Sequence, residues 1–265
     1  MIPQANIIEW RAYAPWASDE QVEQDLLLSR ILCELYANEH IARNLIFRGG
    51  TALHKLFCKN PGRYSEDVDL VQINASPIGS LIDAVRSRLD SWLGEPKRTL
   101  GEGRFTLYYR FLTEAEPQLS RKIKIEINTR EHFTVNGIAH KELVIENRWF
   151  RGQRAISTYS LEELLATKLR ALYQRKKGRD LFDIWLMLQE YPLLDKRTIA
   201  NGFLQYMNFS QLKVSRAEFV KNLFLKTKDV VFQNDINNLL ARDRAISYDM
   251  NDAAALVIDE IVTFL

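Results

Sequence analysis

The chain has 265 residues, enough for one or two domains of about 150 residues and for a sizeable buried core. Its 46% hydrophobic and 26% charged residues are globular values, which excludes a disordered chain, a coiled coil and a collagen. With 36 basic and 34 acidic residues the net charge is +2, so no global field attracts nucleic acid or membrane and any basic surface must be local. Two cysteines, Cys33 and Cys58, are too few for a disulfide framework and read as reduced thiols. No apolar run approaches the ~18 residues of a membrane span, so no membrane partner is expected. Met1-Ile2-Pro3-Gln4 lacks the basic and apolar regions of a signal peptide. A soluble, cytoplasmic protein is therefore expected.

In chain order, Ser18 and Gln21 form a capping-box pattern. Leu26, Leu27, Ile31, Leu32 and Leu35 then recur at helical spacing to about His40. Leu45-Ile46-Phe47 is a short strand ending at Gly49-Gly50, and Thr51 to Phe57 restarts as a helix. After the break at Pro61-Gly62, Asp67-Val68-Asp69-Leu70-Val71 alternates with period two, as a strand does. Ile78, Leu81, Ile82, Val85, Leu89 and Leu93 make an amphipathic helix stopped by Gly94 and Pro96. Phe105 to Leu112 and Lys122 to Asn128 read as strands, the latter setting Ile123, Ile125 and Ile127 against Lys124, Glu126 and Asn128. From Ser160, paired with Glu163 as a second capping box, the pattern turns helical. One helix carries Leu161, Leu164, Leu165, Leu169 and Leu172, a second runs from Arg179 to about Glu190, and further helices follow. The expected architecture is an α/β domain over residues 1–155 and a helical domain over 156–265, with a linker around Arg151-Gly152-Gln153.

Three carboxylates carry the first chemical signal. Asp67 and Asp69, two apart on a strand, point to one face, where their repulsion is relieved by a divalent cation. Hard oxygen ligands on a strand suit Mg²⁺, which shares substrate phosphate oxygens. Glu126 would be a third ligand if its strand lies alongside, whereas a solvated edge strand is the alternative for a bare D-x-D. Phe47-Arg48-Gly49-Gly50-Thr51-Ala52-Leu53 joins strand to helix. Its glycines would let the backbone approach a phosphate, and free amides at the helix start attract anions. A tight turn is the other reading. Asp67 follows Thr51 by sixteen positions, a route that could return the chain beside the glycine turn.

Lys168 falls in the middle of the leucine stripe of its helix. There it must snorkel, meet a carboxylate, or meet a phosphate. Asp180 and Asp183, three apart, share one side of an almost wholly apolar helix and belong either to an ion-pair network or to a functional site. From Lys168 to Arg179 there are six cations and no acid. That run is the best local candidate for nucleotide or RNA phosphates, with a solvated helix face as the alternative for Lys176 and Lys177.

Phe47-Arg48-Gly49-Gly50-Thr51-Ala52-Leu53, Arg63-Tyr64-Ser65-Glu66-Asp67-Val68-Asp69-Leu70, Ile123-Lys124-Ile125-Glu126-Ile127, and Ala166-Thr167-Lys168 followed by Arg179-Asp180-Leu181-Phe182-Asp183 together resemble the AbiEii/AbiGii toxin family. Its members are nucleotidyltransferase-like proteins of the DNA polymerase beta superfamily, which includes the MenT toxins. The motifs span roughly residues 45 to 190. Compared with the wider superfamily, the gap before the D-x-D is longer here and Thr51 stands in place of a serine.

The resemblance implies a nucleotidyltransferase-type mixed sheet flanked by helices, followed by a helical C-terminal domain. It implies that Gly49, Gly50 and Thr51 cradle a triphosphate and that Asp67, Asp69 and Glu126 hold Mg²⁺ (or Mn²⁺). Lys168 and Asp180 or Asp183 match positions implicated in activity, with Lys168 on the triphosphate; Arg175 and Arg179 of the basic run are the further nucleotide-binding candidates. The implied reaction moves a nucleoside monophosphate from an NTP to an acceptor hydroxyl, such as a tRNA 3′ end or another RNA. The implied protein partner is a DNA-binding antitoxin encoded nearby. Two alternatives compete: a non-catalytic nucleotide-binding regulator of the same fold, and a metal-dependent nuclease, which would not need the Gly-Gly-Thr turn.

Overall fold

The computed structural model describes residues 2–60, 62–114, 117–241 and 247–265; Pro61, part of the expected break, lies outside them. The chain divides into two compact units. One comprises Met1–Leu56, Tyr64–Thr134 and Ile138–Tyr159, and the other comprises Phe57–Arg63, Val135–Gly137 and Ser160–Leu265.

The first unit is mixed α/β. Its elements are α1 (Gln4–Trp10), α2 (Asp19–Tyr36), α3 (Glu39–Asn44), β1 (Leu45–Arg48), α4 (Gly49–Leu56), β2 (Asp67–Gln72) and α5 (Gly79–Leu93), then β3 (Lys97–Gly101), β4 (Arg104–Leu112), β5 (Ser120–Asn128), β6 (Ile138–Glu146) and β7 (Arg151–Tyr159). Seven strands form one sheet in the order β3-β4-β5-β2-β1-β7-β6. At its centre β1 runs antiparallel to β2 and parallel to β7, while β2 runs parallel to β5. Ile123, Ile125 and Ile127 of β5 are fully buried. Each contributes roughly 1.5–3 kcal/mol of burial, and a one-residue slip would exchange them for Lys124 and Glu126, so the register is firmly held. The Ser18–Gln21 capping box opens α2 as expected.

Four elements lack a clear local signal. Helix α1 is a short run, and edge strand β3 is exposed along its whole length, so neither shows an apolar period. Strands β6 and β7 bury side chains toward their C-terminal halves. The expected linker at Arg151-Gly152-Gln153 is instead the start of β7. Gly152 sits there for close packing, not flexibility. A Cβ on it would lie 2.9 Å from the Phe150 ring and 3.1 Å from Cys33 Sγ.

The second unit is helical: α6 (Leu161–Gln174), α7 (Gly178–Glu190), α8 (Lys196–Phe209), α9 (Arg216–Thr227), α10 (Val230–Asn234) and α11 (Met250–Glu260), with a closing 3₁₀ turn at Val262–Phe264. Helix α6 packs against α7 and α8. The expected second capping box forms only by half. Ser160 accepts the Glu163 N–H, but the Glu163 carboxylate accepts from Val135 N, Asn136 N and the Tyr206 hydroxyl. Buried at 0% exposure, that carboxylate finds better-placed donors in the 135–137 segment than at its own helix start. No helix among the described residues is long and apolar enough to cross a membrane.

Candidate active site

The strand register assembles the acidic site of the α/β unit. Pairing of β1 with β2 sets Arg48 opposite Asp69, and pairing of β2 with β5 sets Asp67 opposite Lys124 and Asp69 opposite Glu126. The three carboxylates singled out in the sequence therefore lie on adjacent strands, and the chain does return beside the glycine turn. Gly49 has φ +82°, a left-handed conformation that a side chain resists. A Cβ there would fall 2.3 Å from Asp69 Oδ2, so the turn and the carboxylate are in close approach. Gly50 is buried in the first turn of α4. The Thr51 hydroxyl, also buried, pairs with Ser65 Oγ at 2.7 Å and donates to the Asp67 carbonyl at 2.5 Å. It fixes the start of β2 and hence the position of Asp67.

Lys124 is the residue that sequence reasoning passed over. Its ammonium lies 3.4 Å from Asp67 Oδ2 and 3.4 Å from Glu126 Oε2, bridging two of the three carboxylates. Period-two alternation did place it on the same face as Glu126, and that was the available signal. Burial works against its charge, but Asp67, Asp69 and Glu126 outweigh it and raise the ammonium above its ordinary range. Burial holds the Asp67 carboxyl above its usual range; Lys124 opposes that effect, and the negative charges of Asp69 and Glu66 add to it. Beside them Arg48 donates to Glu131 at 2.6 Å. Glu131 is held there by Asn128, whose side chain accepts the N–H groups of Arg130 and Glu131 at 2.9 Å each.

Among the described residues, no three His, Cys, Asp or Glu side chains close into a ready-made metal cage. The donor set still fits a hard divalent cation. Mg²⁺ is commonly held by one or two carboxylates and completes its shell with water and substrate phosphate. Asp67 and Asp69, both part-exposed, offer that geometry, with Glu126 across the strand pair.

The helical unit holds a second charged cluster. Lys168 is buried on α6, and its ammonium lies 3.0 Å from Asp180 Oδ1 and 2.9 Å from Asp183 Oδ2. Snorkelling is excluded by this burial, and carboxylate pairing is what the structure contains. Arg175 grips Asp180 with two hydrogen bonds of 2.7 and 2.8 Å. Arg63 grips Asp183 in the same way at 2.7 Å each, itself buried. Both aspartates are fully buried, so three cations enclose two carboxylates. Burial alone would raise the Asp180 carboxyl, but Lys168 and Arg175 hold it below the usual carboxylate range.

The rest of the basic run is also engaged. Lys176 pairs with Asp229 at 2.9 Å, Lys177 with Asp235 at 3.1 Å, and Arg179 with Asp235 at 3.7 Å. Arg170 lies over the Tyr206 ring. The expectation of an open phosphate-binding stretch from Lys168 to Arg179 thus meets a set of internal pairs. Those acids lie about fifty residues downstream and could not be assigned from spacing.

A family model described as nucleotidyl transferase AbiEii toxin, type IV TA system, matches residues 30–255. No curated protein sequence matches the chain. Among solved structures, MenT4, a nucleotidyltransferase toxin from Mycobacterium tuberculosis H37Rv, is similar with a TM-score of 0.62 at 16% identity, covering 97% of this chain and 99% of its own. A candidate nucleotidyltransferase from H. pylori is similar with a TM-score of 0.55 at 18% identity, covering 94% of this chain and 99% of its own. At these identities the likeness is one of fold.

Proposed function

The chain belongs to the AbiEii nucleotidyltransferase toxin family, and on that premise we propose that it transfers a nucleoside monophosphate from an NTP to an acceptor hydroxyl with the help of Mg²⁺ or Mn²⁺. The observation that carries this reading is the register that sets Asp69 beside both Glu126 and Gly49. In the reaction the acceptor oxygen bonds to the α-phosphorus, the bond from that phosphorus to the bridging oxygen breaks, and pyrophosphate leaves. Asp67 and Asp69 would hold the cation, with Glu126 as a third ligand or as the acceptor of the hydroxyl proton. When bound, the cation supplies charge neutralisation on the triphosphate and eases deprotonation of the attacking hydroxyl. The backbone amides of Gly49, Gly50 and Thr51 would face the phosphates. Lys124 would exchange carboxylate contacts for phosphate oxygens as the site fills.

For the acceptor we favour an RNA 3′ hydroxyl, that of tRNA in particular. The family's toxin–antitoxin description supports a DNA-binding antitoxin as partner, and NTP and RNA substrates suit a cytoplasmic enzyme. For Lys168, Asp180, Asp183, Arg175 and Arg179 the geometry supports ion pairing within the helical unit, and the family resemblance adds a nucleotide role.

The test is incubation of the protein with total RNA, Mg²⁺ and each NTP in turn, read by gel and mass spectrometry. RNA lengthened by one or more nucleotides is expected. Asp67→Asn and Asp69→Asn keep the side-chain shape but remove charge, and each should lower transfer by orders of magnitude with the fold intact. Near-parental transfer by either variant would remove the metal assignment. RNA shortened instead of lengthened would establish a nuclease.

A further inference from the structure

We propose that the open face of strands β3, β4 and β5 is a docking track for single-stranded RNA leading to the Asp67–Asp69 site; this rests on the transferase reading and assigns the acceptor its surface. The cross-strand pairs align Lys97, Tyr108, Lys124 and Asp67 in one row across four neighbouring strands. At about 4.8 Å per strand step, Lys97 stands about 14 Å from the Asp67 position along that row. Alternation places Arg104 and Arg110 on the same face of β4 as Tyr108, and Lys122 on the same face of β5 as Lys124.

Charge distinguishes this face from the basic run of the helical unit. Its only acid on the three strands is Glu126, against Lys97, Arg104, Arg110, Lys122 and Lys124. Lys97, Arg104, Arg110 and Lys122 are exposed and, among the described residues, have no acidic partner. The basic run on α6 and α7, by contrast, is matched by Asp180, Asp229 and Asp235. Lysines on an edge strand deter unwanted strand pairing, which accounts for Lys97. That reason does not extend to Arg104, Arg110 and Lys122, because β4 and β5 lie inside the sheet. Tyr108 stands half-exposed among these cations, with Lys122 Nζ 5.7 Å from its ring centroid. Cations interleaved with an aromatic ring match a strand whose phosphates need neutralising and whose bases offer π-faces.

The test measures fluorescence anisotropy of a short fluorescein-labelled single-stranded RNA against the full chain, at several salt concentrations, without NTP or divalent ion. Lys97→Ala with Lys122→Ala should lower the slope of log affinity against log salt by about 1.4, two phosphate contacts at about 0.7 each. Tyr108→Ala should weaken binding roughly 5- to 100-fold, and Tyr108→Phe should restore it. Lys213→Ala with Arg216→Ala removes the same charge from the helical unit and should change neither quantity. The proposal is overturned if the sheet variants bind like the parent or if the control pair loses as much. Because the readout needs no turnover, RNA binding with no transfer would count against the transferase reading alone. Transfer with an unchanged RNA KM in the sheet variants would count against the track alone.

Discussion

Lys124 shows how one side chain can keep an acidic site folded before any cation arrives. With its ammonium between Asp67 and Glu126, Lys124→Met would leave those carboxylates to repel each other and Asp69. We expect a lower Tm than the parent in chelator and a larger Tm increase on adding Mg²⁺, because the divalent ion no longer competes with a resident cation. Equal Mg²⁺-induced shifts in the two proteins would show that lysine and metal do not share the site. Gly49 works by different means. Gly49→Ala forces a side chain into a left-handed conformation, costing about 1–2 kcal/mol, and drives its Cβ onto Asp69. The expected result is a modest fall in Tm with transfer lost. Parental transfer by this variant would show that Asp69 can move without consequence.

Helices α6 and α7 are joined by charges that their own sequence could only half announce. Lys168→Met would leave Asp180 and Asp183 with one arginine each and remove the ammonium that bridges the two buried carboxylates. Removing one partner from such a cluster costs roughly 3–5 kcal/mol, so chemical denaturation should show a clear loss of stability. A variant that unfolds at the parental denaturant concentration, yet no longer binds NTP in calorimetry, would assign Lys168 to the nucleotide alone. The held-down Asp180 carboxyl also fixes an acid response. Its contribution is present above the unfolded carboxylate value of about 3.9 and is lost as pH falls through the lower folded value.

Lys226 of α9 gives the opposite signature. Its ammonium donates to the Leu172 and Tyr173 carbonyls at the end of α6, and burial pushes it down to about 8. Between about 8 and the ordinary 10.5 the unfolded chain holds more proton than the folded one, so stability rises with pH across that window. Lys226→Gln should abolish that rise in denaturation curves taken from pH 8 to 10.

At the scale of the whole molecule, the helical unit is not one continuous stretch of chain. Segments 57–63 and 135–137 belong to it, bringing Arg63 to Asp183 and the Val135 and Asn136 amides to Glu163. A fragment of residues 160–265 would therefore strip two fully buried carboxylates of part of their donors: Asp183 would keep Lys168 but lose Arg63, and Glu163 would keep the Tyr206 hydroxyl but lose both amides. At roughly 3–5 kcal/mol for the Arg63–Asp183 pair alone, against a typical total of about 5–15, this is enough to prevent stable folding. Circular dichroism of that fragment should show partial helix without a cooperative melt. A sharp transition near the parental Tm would show that the helical unit folds without its borrowed segments.

Several elements were legible locally. The Ser18 box and leucine period of α2, the alternation of β2 and β5, and the stripe of α6 follow from side-chain periods of 3.6 and 2 that a single segment displays. The same periods put Asp67 and Asp69 on one face and Lys168 among leucines. Strands β3, β6 and β7 were not legible, since they are too exposed or too unevenly buried to show a period. Nor were the partners: Lys124 with Asp67, Arg63 with Asp183, and Lys176 and Lys177 with Asp229 and Asp235. Residues 53 to 120 positions apart meet only when register and helix packing are set, and those are fixed by burial of the apolar faces opposite them. The sequence by itself determined which side chains carry charge on which face; the tertiary structure decided which charges neutralise each other and which, such as Lys97, Arg104, Arg110 and Lys122, have no acidic partner among the described residues.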